Sequence, residues 1–314
     1  MHELFSTFQR TFARQWPDIV IPGSPERCLT RVVAEDTAGT LWLVEKLHAA
    51  QVSWRDTVGI LLHKLVERQT PHVVAPALTA NGASVAEHAI APYQLTPFIH
   101  GTPLPRPAYC ADAERGEAIG NFIAALQQNG KHLDIPEQST APLPQYVQDT
   151  MATIRQRHPA LHKELLPILS HLNEFFTDYD ELPAALAHGD CHPLNIIWNG
   201  KRIAGVIDWE FTGKKIVLYD AANCIGCVGF EHPNWLINGL CPALIATLYA
   251  QSQEFRASYQ YLIPTIVALR FAWLSEWLRK KDTEMQQMEL EYMHLLVTNR
   301  AEIEAYWKKQ LHIP

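Results

Sequence analysis

Asp190, Asn195 and Asp208 lie within nineteen residues of one another, in HGDCHPLN (188–195) and GVIDWE (205–210). Two carboxylates and an amide are hard oxygen donors. They suit Mg²⁺, which takes one or two protein carboxylates together with substrate phosphates. With Asn195 and Asp208 on the metal, Asp190 is left to receive a proton from an attacking hydroxyl or to orient it. A positioned base contributes about 10²–10⁴ in rate. A loop Asp, an Asn five residues on and a later metal-binding Asp are the parts that phosphoryl transfer uses. A lone Asp-x-x-x-x-Asn is common, and a lone His188 or His192 is more often packing than chemistry. The ordered combination is what points to a reaction.

The element that must position these residues is a hairpin. In NIIW-NG-KRIAGVI, Asn199-Gly200 separates two apolar runs, the strongest short-range hairpin signal. Pairing Trp198 with Lys201 sets Asn195 opposite Ala204. Asp208 then falls four residues further on, and Gly205 is the place where the strand can bend toward Asn195.

HGDCHPLNIIW and GVIDWE together resemble the aminoglycoside phosphotransferase and choline kinase-like family, across about 40 residues from Leu182 to Asp220. The resemblance implies an α+β, two-lobed protein-kinase-like fold, with a small antiparallel-sheet N-lobe over residues 1–99 and a larger, mainly helical C-lobe over 100–314. It implies that Asp190 is the catalytic Asp, that Asn195 and Asp208 hold Mg²⁺ against ATP, and that His188 and Asp220 are structural supports. LTPFIHG (95–101) resembles the family's hinge strand, which puts Pro97, Phe98 and Ile99 beside adenine with backbone hydrogen bonds to offer. IGNFIAALQQ resembles the first C-lobe helix, and Trp209 stands where D-F-G has Phe.

The family also has a basic residue on the third strand that meets the nucleotide phosphates. WLVEKLHA offers Glu45 and Lys46, and only one can face the nucleotide because strand side chains alternate. Charge favours Lys46, while motif alignment accepts Glu45 equally; Lys46 is the expectation. At the position of its acid partner on the next helix stands Val58, with Asp56, Glu67 or no acid in its stead. The loop PGSPERCLT has one glycine and is not G-x-G-x-x-G. No Walker A sequence occurs, which excludes a P-loop kinase.

Composition narrows the partners. The 314 residues are 47% hydrophobic and 19% charged, with net charge −7, the profile of a globular protein with ample core. No run of five like charges exists, and RKK (279–281) is the densest basic cluster, so nucleic acid is not an expected partner. Nowhere do 18 apolar residues run together, so no membrane span is expected. MHELFSTFQRTFARQW reads as a helix docked through Leu4, Phe5, Phe8, Phe12 and Trp16, not as a signal peptide. Six cysteines without a leader read as free thiols of a cytoplasmic protein. Cys224-x-x-Cys227 supplies only half of a zinc site and reads as two buried helical thiols, as does Cys191 as filler.

Along the chain, strands are expected at 28–36, 40–49, VAPAL (74–78) and 91–99, with a helix near 56–68. HGTPLPRPAY (100–109) is the linker. Helices follow near 113–129, 144–157, 161–178, 219–229, 240–255, 259–281 and 283–311. The family selects its acceptor with the last hundred residues. Here 221–314 hold nine acidic and eight basic residues, which disfavours a polycationic aminoglycoside. VALRFAWLSEWLRKKD (267–282) resembles the helix of branches acting on homoserine, sugars or amino alcohols, with Arg270 and Trp277 as acceptor contacts; Leu269, Trp273, Leu274 and Trp277 also read as an apolar packing stripe. The expected activity is ATP- and Mg²⁺-dependent phosphorylation of a hydroxyl on a small metabolite. A protein Ser/Thr kinase of this fold and a nucleotide-binding pseudokinase are the alternatives. Oligomeric state has no signature in the sequence.

Overall fold

A computed structural model describes residues 1–21, 28–135 and 141–311. Its contacts divide the chain into two units. One comprises 1–104, 128–136 and 194–212; the other comprises 105–127, 137–193 and 213–314.

The first unit is built on a five-stranded antiparallel sheet in the order β1-β2-β3-β5-β4. Its elements are α1 (His2–Thr7), β1 (Phe12–Gln15), β2 (Thr30–Asp36), β3 (Leu41–Lys46), α2 (Val52–Glu67), β4 (Ala86–His88) and β5 (Ala91–Pro97). Asp36 builds the β2–β3 turn. Its Oδ1 accepts from the amides of Ala38 and Thr40 at 3.0 and 2.9 Å, and its Oδ2 accepts from Trp42 Nε1 at 2.9 Å. A short-range cap of this kind is why Asp is favoured in turns. Leu4, Phe5 and Phe8 pack on one face of the sheet with Trp42, Val44 and Leu95.

The single N-terminal helix expected to run through Trp16 is shorter. It stops at Thr7, Gln9 takes a left-handed φ of 57°, and residues 12–15 become strand β1 paired with β2. Phe12 still packs on the same core, so the apolar spacing serves a helix followed by a strand. The run 74–78 forms no strand. Pro76 has no N–H to give a ladder, and only Ala77 bonds across, to the Leu95 carbonyl at 2.7 Å. A two-stranded hairpin, β7 (Ile196–Asn199) and β8 (Arg202–Val206), belongs to this unit.

The second unit is helical apart from β6 (Ala184–Ala187) and β9 (Gly213–Ile216), which pair antiparallel. Its helices are α3 (Ala113–Gly130), α4 (Leu143–Arg157), α5 (Pro159–Ser170), α6 (Asn173–Asp178), α7 (Tyr219–Glu231), α8 (Leu240–Gln251), α9 (Gln253–Ser258), α10 (Leu262–Lys280), α11 (Thr283–Thr298) and α12 (Arg300–Gln310). Three helices expected to be continuous are broken. The one near 161–178 stops at Ser170 and resumes at Asn173. Ser252 caps α9, accepting from Phe255 N at 3.0 Å, and Asn299 separates α11 from α12. The centre is α10, buried from Leu262 through Phe271 and again at Leu274. Among the described residues no helix is long and apolar enough to cross a membrane.

Candidate active site

The hairpin pairs Trp198 with Ile203 and Asn199 with Arg202, so its turn residues are Gly200 and Lys201, one place later than Asn199-Gly200. Gly200 has φ +59°. A two-residue turn with glycine first asks for one positive φ instead of two, and that choice resets the register. The ladder then shifts between Ile197 and Trp198, pairing Ile197 with Gly205 and Ile196 with Val206. The amide of Ile207 donates to the Asn195 carbonyl at 3.0 Å. Asp208 therefore follows directly on the residue opposite Asn195; the expected four-residue gap is corrected to one. Asp208 itself is left-handed, with φ 64° and ψ 54°. A non-glycine residue there costs about 1–3 kcal/mol and persists where its surroundings over-determine it. A 3₁₀ turn, Trp209–Phe211, follows, anchored by Trp209 Nε1 donating to Val206 O at 2.9 Å and by Trp54 Nε1 of α2 donating to Glu210 O at 2.7 Å.

This first unit contains a cavity. Leu43 and Glu45 line it from β3, Val58 and Leu62 from α2, Pro97, Phe98 and Ile99 from the end of β5, and Ile197, Val206 and Asp208 from the hairpin side. Two glycines bring the 97–102 segment and the hairpin together. A Cβ at Gly205 would sit 2.5 Å from Ile99 Cδ1, and one at Gly101 would sit 2.8 Å from the Trp198 carbonyl oxygen. Of the three hinge residues, Pro97 has no amide hydrogen and Phe98 donates its own to Leu41 O at 2.8 Å. The amide on offer is reduced to that of Ile99.

Lys46 is not among the residues lining the cavity; Glu45 is. The choice of Lys46 on charge is thus corrected by strand alternation. Trp42 and Val44 face the α1 core, which sends Lys46 to that side and Leu43 and Glu45 to the cavity. Glu45 forms an ion pair with Arg55 of α2, and its cross-strand partner is Arg31 of β2. Asp56 is occupied elsewhere: its Oδ1 accepts from Ser84 N and Oγ at 2.6 and 3.0 Å. Glu67 is exposed at the end of α2. Most of the loop PGSPERCLT, residues 22–27, lies outside the described residues.

In the second unit, β6 delivers His188 and Asp190 into a loop held from α7. Asp220 is buried, and its two carboxylate oxygens accept the amides of His188 and Gly189 at 2.7 and 2.8 Å. Burial pushes the Asp220 carboxyl up to about 6, with the two amide hydrogen bonds and Lys215 opposing that shift. Gly189 has φ +87°, and the Asp190 amide donates to His188 Nδ1 at 3.2 Å. Asn223, one helical turn after Asp220, donates from Nδ2 to Asp190 Oδ1 at 3.4 Å, and His192 Nε2 stands 3.6 Å from the same oxygen. The i, i+3 spacing of Asp220 and Asn223 in DAAN is the signal that locates Asn223. Burial raises the thiol pKa of Cys191, Cys224 and Cys227, the last to about 12. All six cysteines are free, and among the described residues no His, Cys, Asp and Glu group of three or more is arranged to hold a metal.

Arg270 is buried and committed. Its Nε and one terminal nitrogen donate to the two oxygens of Glu289 at 2.5 and 2.6 Å, and Trp277 Nε1 reaches the same carboxylate at 3.3 Å. Both residues named as acceptor contacts thus serve the α10–α11 packing, although the Trp277 ring stacks on Trp273, whose ring lies 6.5 Å from that of His192. Glu289 carries no signal of its own in the sequence, being nineteen residues from its partner.

Comparison with known proteins agrees with this architecture. A homoserine kinase from Nitrobacter winogradskyi is 27% identical over 62% of this chain, and the match spans only 60% of that relative's length. A homoserine kinase from Beijerinckia indica is 25% identical, covering 75% of this chain and 74% of the relative. Among solved structures, a microcompartment-associated aminopropanol kinase superposes with a TM-score of 0.63 at 12% identity, covering 96% of this chain and 97% of that one. The choline kinase LicA of Streptococcus pneumoniae gives 0.62 at 14% identity, covering 93% and 96%. These two establish the fold. Residues 47–259, more than half of the chain, match the model of the phosphotransferase enzyme family, and with its kinase-like fold and its HGDCHPLN and IDWE segments the chain belongs to that family.

Proposed function

We propose that this chain is an ATP- and Mg²⁺-dependent kinase that phosphorylates the hydroxyl of a small metabolite of the homoserine or amino-alcohol type. The observation that carries the reading is the cavity lined both by Pro97–Ile99 and by the strained Asp208. The apolar side chains of Leu43, Val58, Leu62 and Ile99 suit a purine face, and the Ile99 amide suits its edge. Asp208 and Asn195 offer the carboxylate and amide oxygens that Mg²⁺ accepts, and such an ion neutralises phosphate charge when bound. Asp190 takes the proton of the acceptor hydroxyl, with Asn223 and His192 fixing its carboxylate. Asp220 holds the loop through the two amides that precede Asp190. The homoserine kinase relatives and the aminopropanol and choline kinase folds support a small hydroxylated acceptor.

The test is ADP release from Mg-ATP with homoserine, aminopropanol, choline, sugars and an aminoglycoside. Turnover is expected with homoserine or an amino alcohol. ATP binding with no turnover on any acceptor would favour the pseudokinase. Asp190→Asn should lower kcat by about 10²–10⁴ while leaving the Kd for Mg-ATP within twofold.

A further inference from the structure

We propose that Arg55, steered by Glu45, and Arg31 supply the positive charge that meets the nucleotide phosphates, in place of a lysine on β3. The inference rests on reading the cavity as the nucleotide site and names the residues that grip the phosphates there. No lysine lines the cavity among the described residues; its cations are Arg31 and Arg55. They stand on either side of Glu45, Arg31 as its cross-strand partner and Arg55 as its ion-pair partner from α2. A carboxylate alone on this wall would repel a polyphosphate. Arg55 neutralises Glu45 directly, and Arg31 adds a second guanidinium to a wall whose other charges are Asp208 and Glu210.

The geometry of Arg55 fits a shared role. A guanidinium has five donors, and a carboxylate cannot occupy all of them. Arg55 uses one terminal nitrogen on Glu45, and its Nε is buried out of a ligand's reach, which leaves the other terminal nitrogen as the donor that can face the cavity. Its side chain is 19% exposed, so the pair is open to the cavity and not sealed in core. Arginine presents a fork that matches phosphate oxygens two at a time. In this arrangement Glu45 is a positioning residue, holding the Arg55 fork toward the ligand.

Binding of adenosine, AMP, ADP and ATP in the presence of Mg²⁺, measured by calorimetry, tests this. The wild type should bind ADP and ATP more tightly than adenosine. Arg55→Gln should reduce ADP and ATP affinity at least tenfold while leaving adenosine within twofold. Arg31→Gln should act in the same direction with a smaller loss, and Arg55→Lys should recover part of the affinity. Glu45→Gln, which removes the steering and leaves both cations, should cost less than Arg55→Gln. Circular dichroism checks that each variant is folded; if Arg55→Gln is not, Arg31→Gln and Arg55→Lys carry the measurement. An unchanged ratio of ADP to adenosine affinity in the folded arginine variants would overturn the inference and leave the kinase reading standing. A wild type that binds no adenine nucleotide would overturn both.

Discussion

Two Glu–Arg pairs, one in each unit, show how differently the same chemistry can be used. Arg270–Glu289 is sealed, with side-chain exposures of 3% and 0%, and Phe230, Trp273 and Tyr292 rings surround the guanidinium. Arg55–Glu45 lines a cavity at 19% and 12% exposure, and Arg55 spends only one terminal nitrogen on Glu45. A sealed pair must satisfy itself, because no water reaches what remains unpaired. An open pair can leave donors for a ligand. The contrast separates a residue that holds helices together from one placed to bind.

The strongest way to break this comparison is Glu289→Gln. It leaves the buried Arg270 charge without its carboxylate and should destabilise the fold by about 3–5 kcal/mol in urea unfolding. The double change Arg270→Met with Glu289→Leu should recover much of that loss. A loss below about 1 kcal/mol for the single change would mean that the pair is not sealed.

Asp220 sharpens the contrast with a buried carboxylate held by backbone amides instead of a guanidinium. Its folded pKa, raised by burial to about 6, lies above the ordinary 3.8. Below about pH 4 the group is protonated in both folded and unfolded chains and the charge costs nothing. Between those values the folded state binds the extra proton, so this group's contribution falls as pH rises, by about 3 kcal/mol at most. Relative to Asp220→Asn, which cannot titrate, the wild type should therefore lose stability between pH 4 and pH 7. A constant difference between the two proteins across that range would rule the shift out.

Smaller effects belong to the open pairs. Glu45→Gln should change unfolding free energy by about 1 kcal/mol, because the pair is only partly removed from water. Glu276, on the surface of α10 with Arg279 and Lys280, should cost at most about 0.5 kcal/mol when changed to Gln. A Glu45 variant as damaging as Glu289→Gln would erase the distinction between the two sites.

Local chemistry is legible in the sequence, and choices settled at a distance are not. Asn199 and Gly200 announce a hairpin, but its register depends on which residue takes the one positive φ, and that choice decides how near Asp208 comes to Asn195. Glu45 and Lys46 are equivalent in strand propensity. What separates them is that α1 packs on the Trp42 face, and α1 is itself shorter than its apolar spacing implies. The helical part of the fold, read from 3.6-residue periodicity, is legible to within a few residues, whereas the breaks after Ser170, at Ser252 and at Asn299 fall inside continuous apolar patterns, and only Ser252 marks its break with a side-chain N-cap. Asp190, Asn195 and Asp208 stand out because their order is informative. Glu289 is one acid among many until α11 is laid on α10.

Gly101 and Gly205 carry a further meaning. Each leaves out a methyl group where the segment after β5 crosses the hairpin, and Thr102 closes the crossing by donating its amide to Trp198 O at 2.6 Å. Ile99, over a hundred residues earlier in the chain, is thereby seated on Gly205, three residues before Asp208. A side chain added at either glycine would force the two segments apart.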